Sequence, residues 1–70
     1  MIVRFHLERD EDESGVSGTG IVAEGVVFTD GTAVLRWRTK PYASTAVYAS
    51  LAELEHIHGH GGKTRVVIFA

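Results

Sequence analysis

The sequence predicts an α+β fold, mainly β: a five-stranded twisted antiparallel sheet or an SH3-like small barrel, with one short helix before the last strand. Three observations carry this. Residues 20–29 and 32–38 are β-rich runs that meet at Asp30-Gly31, a dipeptide suited to a tight hairpin turn because Gly adopts positive φ freely and Asp tolerates it. The two ends of the chain are rich in β-branched and apolar residues, as strands are. Between hairpin and C-terminus, Ser50-Leu51-Ala52-Glu53 matches a helix capping box.

The first strand is expected at about residues 2–7, where Val3, Phe5 and Leu7 alternate with Ile2, Arg4 and His6 and should face inward. Residues 8–19 then change character. Glu8-Arg9-Asp10-Glu11-Asp12-Glu13 crowds five carboxylates around one arginine, and Ser14-Gly15-Val16-Ser17-Gly18-Thr19 follows, so the whole segment is expected as a solvated acidic, Gly/Ser-rich loop. For the hairpin, a two-residue turn sets Thr29 against Thr32 and pairs Phe28 with Ala33, Val26 with Leu35 and Glu24 with Trp37. The core face would then hold Val22, Val26, Phe28, Leu35 and Trp37, with Glu24 at its rim.

Pro41 cannot donate to a ladder and biases Lys40 to an extended conformation, so residues 39–44 break the sheet. A short strand is expected at 45–49 and a helix at 51–58, facing inward through Leu51, Leu54 and either Ile57 or His58, with Gly59 ending it. The run Thr64-Arg65-Val66-Val67-Ile68-Phe69 closes the chain as a strand beside the first; its apolar, β-branched character is that of an interior strand.

Seventy residues make a single small domain (1–70), and no cysteine is available for disulfides or thiolate ligands, which fits a reducing cytoplasm. The N-terminus lacks the apolar core of a signal peptide and no run approaches membrane-spanning length, so a soluble protein without membrane contact is expected. A net charge of -2 argues against general nucleic-acid binding.

The strings Ser14-Gly15-Val16-Ser17-Gly18-Thr19-Gly20, Ala23-Glu24-Gly25-Val26, Asp30-Gly31, Leu35-Arg36-Trp37 and Ile57-His58-Gly59-His60-Gly61-Gly62 occur here in one order. The chain resembles, from Arg4 onward, small proteins encoded by phages of actinobacteria and by related prophages. That resemblance implies a non-structural protein made in the cytoplasm of an infected host cell, and it brings no catalytic residues with it.

Candidate chemistry is sparse. Arg36, Arg38, Lys40 and Tyr42 form the one basic and aromatic stretch, and Asp10, Glu11, Asp12 and Glu13 the one acidic stretch; either could meet a host protein, or each could neutralise the other. Gly15, Gly18, Gly61, Gly62 and Lys63 could cradle a nucleotide or other phosphate with backbone N–H groups, although no phosphate-binding fingerprint is present and glycines serve turns as readily. His58 and His60 are weak metal candidates, since histidines near a helix C-terminus also cap its carbonyls. No cofactor is implied. No catalytic triad or carboxylate pair can be read from the spacing, and so small a barrel should lack volume for a substrate pocket. The function expected is therefore that of a non-enzymatic accessory protein binding a host macromolecule; the alternative is a small-ligand binder using the glycine-rich loops. A homodimer is a further expectation, because Val27, Val34 and the last strand would leave apolar surface to cover.

Overall fold

A computed structural model of the chain describes residues 1–10, 20–38, 43–59 and 62–69. The elements are β1 (Val3–Arg9), β2 (Gly20–Val27), β3 (Ala33–Trp37), β4 (Thr45–Tyr48), α1 (Leu51–His58) and β5 (Thr64–Phe69). The strands form one antiparallel sheet in the order β4-β3-β2-β1-β5, with the helix before the last strand. This is the expected α+β class in its open form. The SH3-like barrel is not what forms: β4 and β5 stand at opposite edges and do not pair.

One face of the sheet is the core. Phe5 and Leu7 of β1, Ala23 of β2, and Ala33 and Leu35 of β3 are buried there together with Leu54 of the helix. Trp37, Tyr48, Leu51 and Val66 pack around this cluster. The helix begins where the Ser50 side chain accepts a hydrogen bond from the Glu53 N–H at 3.1 Å, satisfying one of the orphan donors of the first turn. Leu54 is fully buried and His58 half-buried, while Ile57 is exposed, which decides the helix's inner face.

The hairpin departs from the expected register. Gly25 pairs with Leu35, Val26 with Val34 and Glu24 with Arg36, one position away from the pairing a two-residue turn requires. The cause is the turn. Phe28 N–H donates to the Thr32 carbonyl at 2.8 Å and Gly31 N–H to the Phe28 carbonyl at 2.9 Å, so three residues, 29–31, lie between the last paired positions. Gly31 takes φ 94° at the third of them, as a three-residue loop with a bulge demands. A slip of one residue exchanges the faces of a strand. Ala23, Gly25 and Val27 therefore face the core, and Glu24 and Val26 stand on the opposite face beside Val34 and Arg36.

Two further differences concern the ends of strands. Glu8 and Arg9 are not loop residues but extend β1, paired with Arg65 and Thr64 of β5. The register shifts between Leu7 and Glu8, and the bulge it creates in β2 buries the neighbours Val22 and Ala23 together. The last strand is an edge and not an interior strand, despite its composition.

Candidate functional site

The helix covers one face of the sheet, and the other face carries the site. Arg4 of β1 lies beside Val26 of β2 and Phe69 of β5; Glu24 of β2 lies between His6 of β1 and Arg36 of β3; Arg36 in turn neighbours Thr45 of β4. All of these but His6 line an open groove of about 400 Å3, together with Val34. The small volume expected of a barrel interior does not bear on this groove, which lies on the outer face of an open sheet.

Each wall of the groove is held in place. The Arg36 Nη1 donates to Thr45 Oγ1 at 2.8 Å, which fixes its guanidinium along β4. The Arg4 guanidinium lies 4.9 Å from the centre of the Phe69 ring, a cation-π distance. The His6 ring also leans on Phe69, at 5.4 Å between centres. Its Nε2 is buried without a hydrogen bond, 3.8 Å from Glu8 Oε1. Among the described residues that line the groove, two arginines stand against one carboxylate, Glu24.

A second cluster sits at one end of the core face. The Arg9 side chain is buried, donates from Nε to Thr64 Oγ1 at 3.1 Å and lies 5.7 Å from the centre of the Trp37 ring. Trp37 meets the His58 ring edge-on at 5.1 Å, and the His58 Nε2 is 2.6 Å from the Tyr48 hydroxyl. Burial, and then the nearby Glu53 charge, push the Tyr48 phenol above its ordinary value. His58 thus acts as a wedge between two aromatic rings at the helix C-terminus. Among the described residues no three His, Asp or Glu side chains are grouped as metal ligands.

The other expected site residues are dispersed. Arg38 is exposed just past the end of β3, its N–H donating to the Val22 carbonyl at 3.0 Å, and is not among the residues that line the groove. Asp10 pairs with Arg65 of β5 at 3.0 Å and its N–H donates to the Lys63 carbonyl at 2.9 Å, so its cationic partner is on the last strand and not on the hairpin. Gly62 takes φ 95° in the turn that leads into β5. Lys40, Tyr42, Glu11, Asp12, Glu13, Gly15, Gly18, His60 and Gly61 lie outside the described residues. Arg4 and Phe69, which sequence reasoning missed as site residues, come from opposite ends of the chain and meet only through the pairing of β1 with β5.

A family model described as Acb5 phage protein matches residues 2–70, nearly the whole chain. The chain belongs to the Acb5 phage protein family. The match spans every element of the fold, from β1 to β5, so the groove lies within the family's own domain. No curated protein and no solved structure matches this Acb5 family member. Among its described residues no helix is long and apolar enough to cross a membrane.

Proposed function

We propose that this Acb5 family phage protein is a non-enzymatic binder whose open sheet face takes up a small anionic ligand, a nucleotide or other phosphorylated compound. The groove is the observation that carries this reading. Its volume of about 400 Å3 falls within the roughly 300–1,000 Å3 of small-molecule sites. Its lining combines an apolar floor with two guanidinium groups, whose planar forks match phosphate oxygens better than an ammonium does. Arg4 and Arg36 come from strands that flank β2, roughly 10 Å apart by ordinary strand spacing, which suits a ligand of nucleotide size held at both ends. The Phe69 ring supplies an apolar wall at one end.

This relocates the ligand reading from the glycine-rich loops to the sheet. Recognition of a host macromolecule through Arg36 and Arg38 is the second reading: Arg36 lines the groove, and Arg38 is exposed just past the end of β3.

The test is thermal unfolding of the protein against a panel of nucleotides, inorganic phosphate and pyrophosphate. A ligand at 100 times its dissociation constant stabilises by about 2.7 kcal/mol, a shift of roughly 10–20 °C in a domain of this size. Arg4→Ala and Arg36→Ala should each abolish the shift, and Lys63→Ala should keep it. If Lys63→Ala alone loses the shift, the site is the loop; if no phosphorylated compound shifts the wild type, the groove is not an anion site.

A further inference from the structure

From the outer edge of β5 we infer that the protein forms a twofold dimer in which β5 pairs antiparallel with β5 of a second copy, making one ten-stranded sheet.

Sequence and position disagree at this strand. Val66-Val67-Ile68-Phe69 is the kind of apolar, β-branched run that belongs inside a sheet, yet β5 stands at the sheet's edge. Ile68 is 60% exposed and Phe69 39%. Edge strands that must stay single are kept short or carry charges, prolines or bulges that discourage pairing. The opposite edge, β4, is only four residues long. β5 has six, with one charge, no proline and a register to β1 that runs without a shift. A neighbouring strand would turn this edge into the interior strand its composition describes.

The occupant follows from self-complementarity. In an antiparallel pair, residues directly opposite one another share a face of the sheet. A twofold axis normal to the sheet therefore joins like faces only when a residue, and not a peptide bond, lies on the axis. Centring on Val67 sets Val67 against itself, Val66 against Ile68, and Arg65 against Phe69 of the second copy. Apolar side chains then meet on the helix-bearing face, where Ile68 is left bare in one copy. On the other face Arg65 meets an aromatic ring, and the two Arg65 side chains are kept well apart. Centring on Val66 would instead bring Lys63 against Phe69 and leave Ile68 facing Thr64. The Val67 register also places Arg65 of the second copy beside Phe69, at the end of the groove.

Cysteine cross-linking reads the register directly, because the chain has no cysteine of its own. Directly opposed Cα atoms in an antiparallel pair are roughly 4.5–5.5 Å apart, within the span of a disulfide, whereas Arg65 would lie roughly 13 Å from its own copy. Val67→Cys under mild oxidation should run almost wholly as a covalent dimer and Arg65→Cys should stay monomeric on the same gel. Sedimentation equilibrium should give a dimer for the wild type and for Val47→Glu at the far edge, and a folded monomer for Ile68→Glu. Ile68 is exposed, so that variant keeps its core, which circular dichroism checks. A wild type monomeric at 200 µM, equal cross-linking at 65 and 67, or dissociation by Val47→Glu and not Ile68→Glu would each overturn the proposal.

Discussion

Phe5 and Gly25 sit opposite one another on β1 and β2, and the Phe5 ring occupies the space that a side chain at 25 would need. A Cβ built on Gly25 would stand 2.5 Å from Phe5 Cζ and 2.3 Å from the Val34 carbonyl oxygen. The centre of the sheet is thus packed by a large residue from one strand lying over a vacancy in the next. Gly25 is not there for a special backbone angle.

Gly25→Ala should accordingly destabilise the fold by roughly 1–3 kcal/mol, the usual cost of overpacking a core. Equilibrium urea unfolding should show a lower midpoint at an unchanged slope. The carbonyl contact is fixed but the ring can be trimmed, so Phe5→Leu in the Gly25→Ala background should cost less than Phe5→Leu does alone. Strict additivity of the two changes would mean that the ring and position 25 do not compete for space.

Arg9 gives a second prediction. It is buried, stacked on Trp37, and its Nε has Thr64 Oγ1 as acceptor. Thr64→Val keeps the branched shape and removes the oxygen, leaving a cationic donor without that partner, at a cost of about 1.5–3 kcal/mol. Thr64→Ser retains the hydroxyl and should lose much less. Equal losses in the two variants, measured by urea unfolding, would assign the effect to packing.

How far the sequence discloses this molecule depends on the distance over which each feature is encoded. The strands, the helix and its Ser50 cap follow from local alternation and capping chemistry, and the fold class is legible from them. The hairpin register is not, because Asp30-Gly31 suits two loops of different length. The tripeptide Thr29-Asp30-Gly31, with Gly third, carries the distinguishing signal. That one residue decides whether Val26 and Glu24 or Ala23 and Gly25 face the core, and so decides which side chains build the groove. Residues 23 and 25 are small, and the volume there is supplied from Phe5, Leu7 and Leu35 across the ladders. Burial of Arg9 within an acidic run had no local signal, since its partners Thr64 and Trp37 arrive through the sheet.

The turn itself responds to acid. Asp30 Oδ1 accepts the Thr32 N–H at 2.9 Å, and hydrogen bonds to Thr32 hold the carboxyl below its ordinary value of 3.8. A group depressed in the folded state contributes stability above its unfolded pKa and loses it as pH falls through the folded one. Asp30→Asn keeps the acceptor and removes the titration. Wild type should therefore lose more stability than Asp30→Asn between pH 5 and strong acid, and parallel urea-midpoint curves would show that this carboxylate is not the cause.

Tyr48 makes the corresponding case in alkali. Its phenol is pushed above the ordinary 10.0 by burial and by the charge of Glu53. A raised folded pKa means that the unfolded chain ionises first, so the contribution is whole below about pH 10 and declines as pH climbs towards the folded value. Tyr48→Phe removes the ionisation and also the hydroxyl that meets His58 Nε2 at 2.6 Å. At pH 7 the variant should be less stable by about 0.5–1.5 kcal/mol, the net worth of one such bond. Above pH 10 the gap should narrow, because only the wild type keeps losing stability to tyrosine ionisation at this position. A gap that widens instead would mean that the Tyr48 phenol ionises more readily in the folded protein than in the unfolded chain.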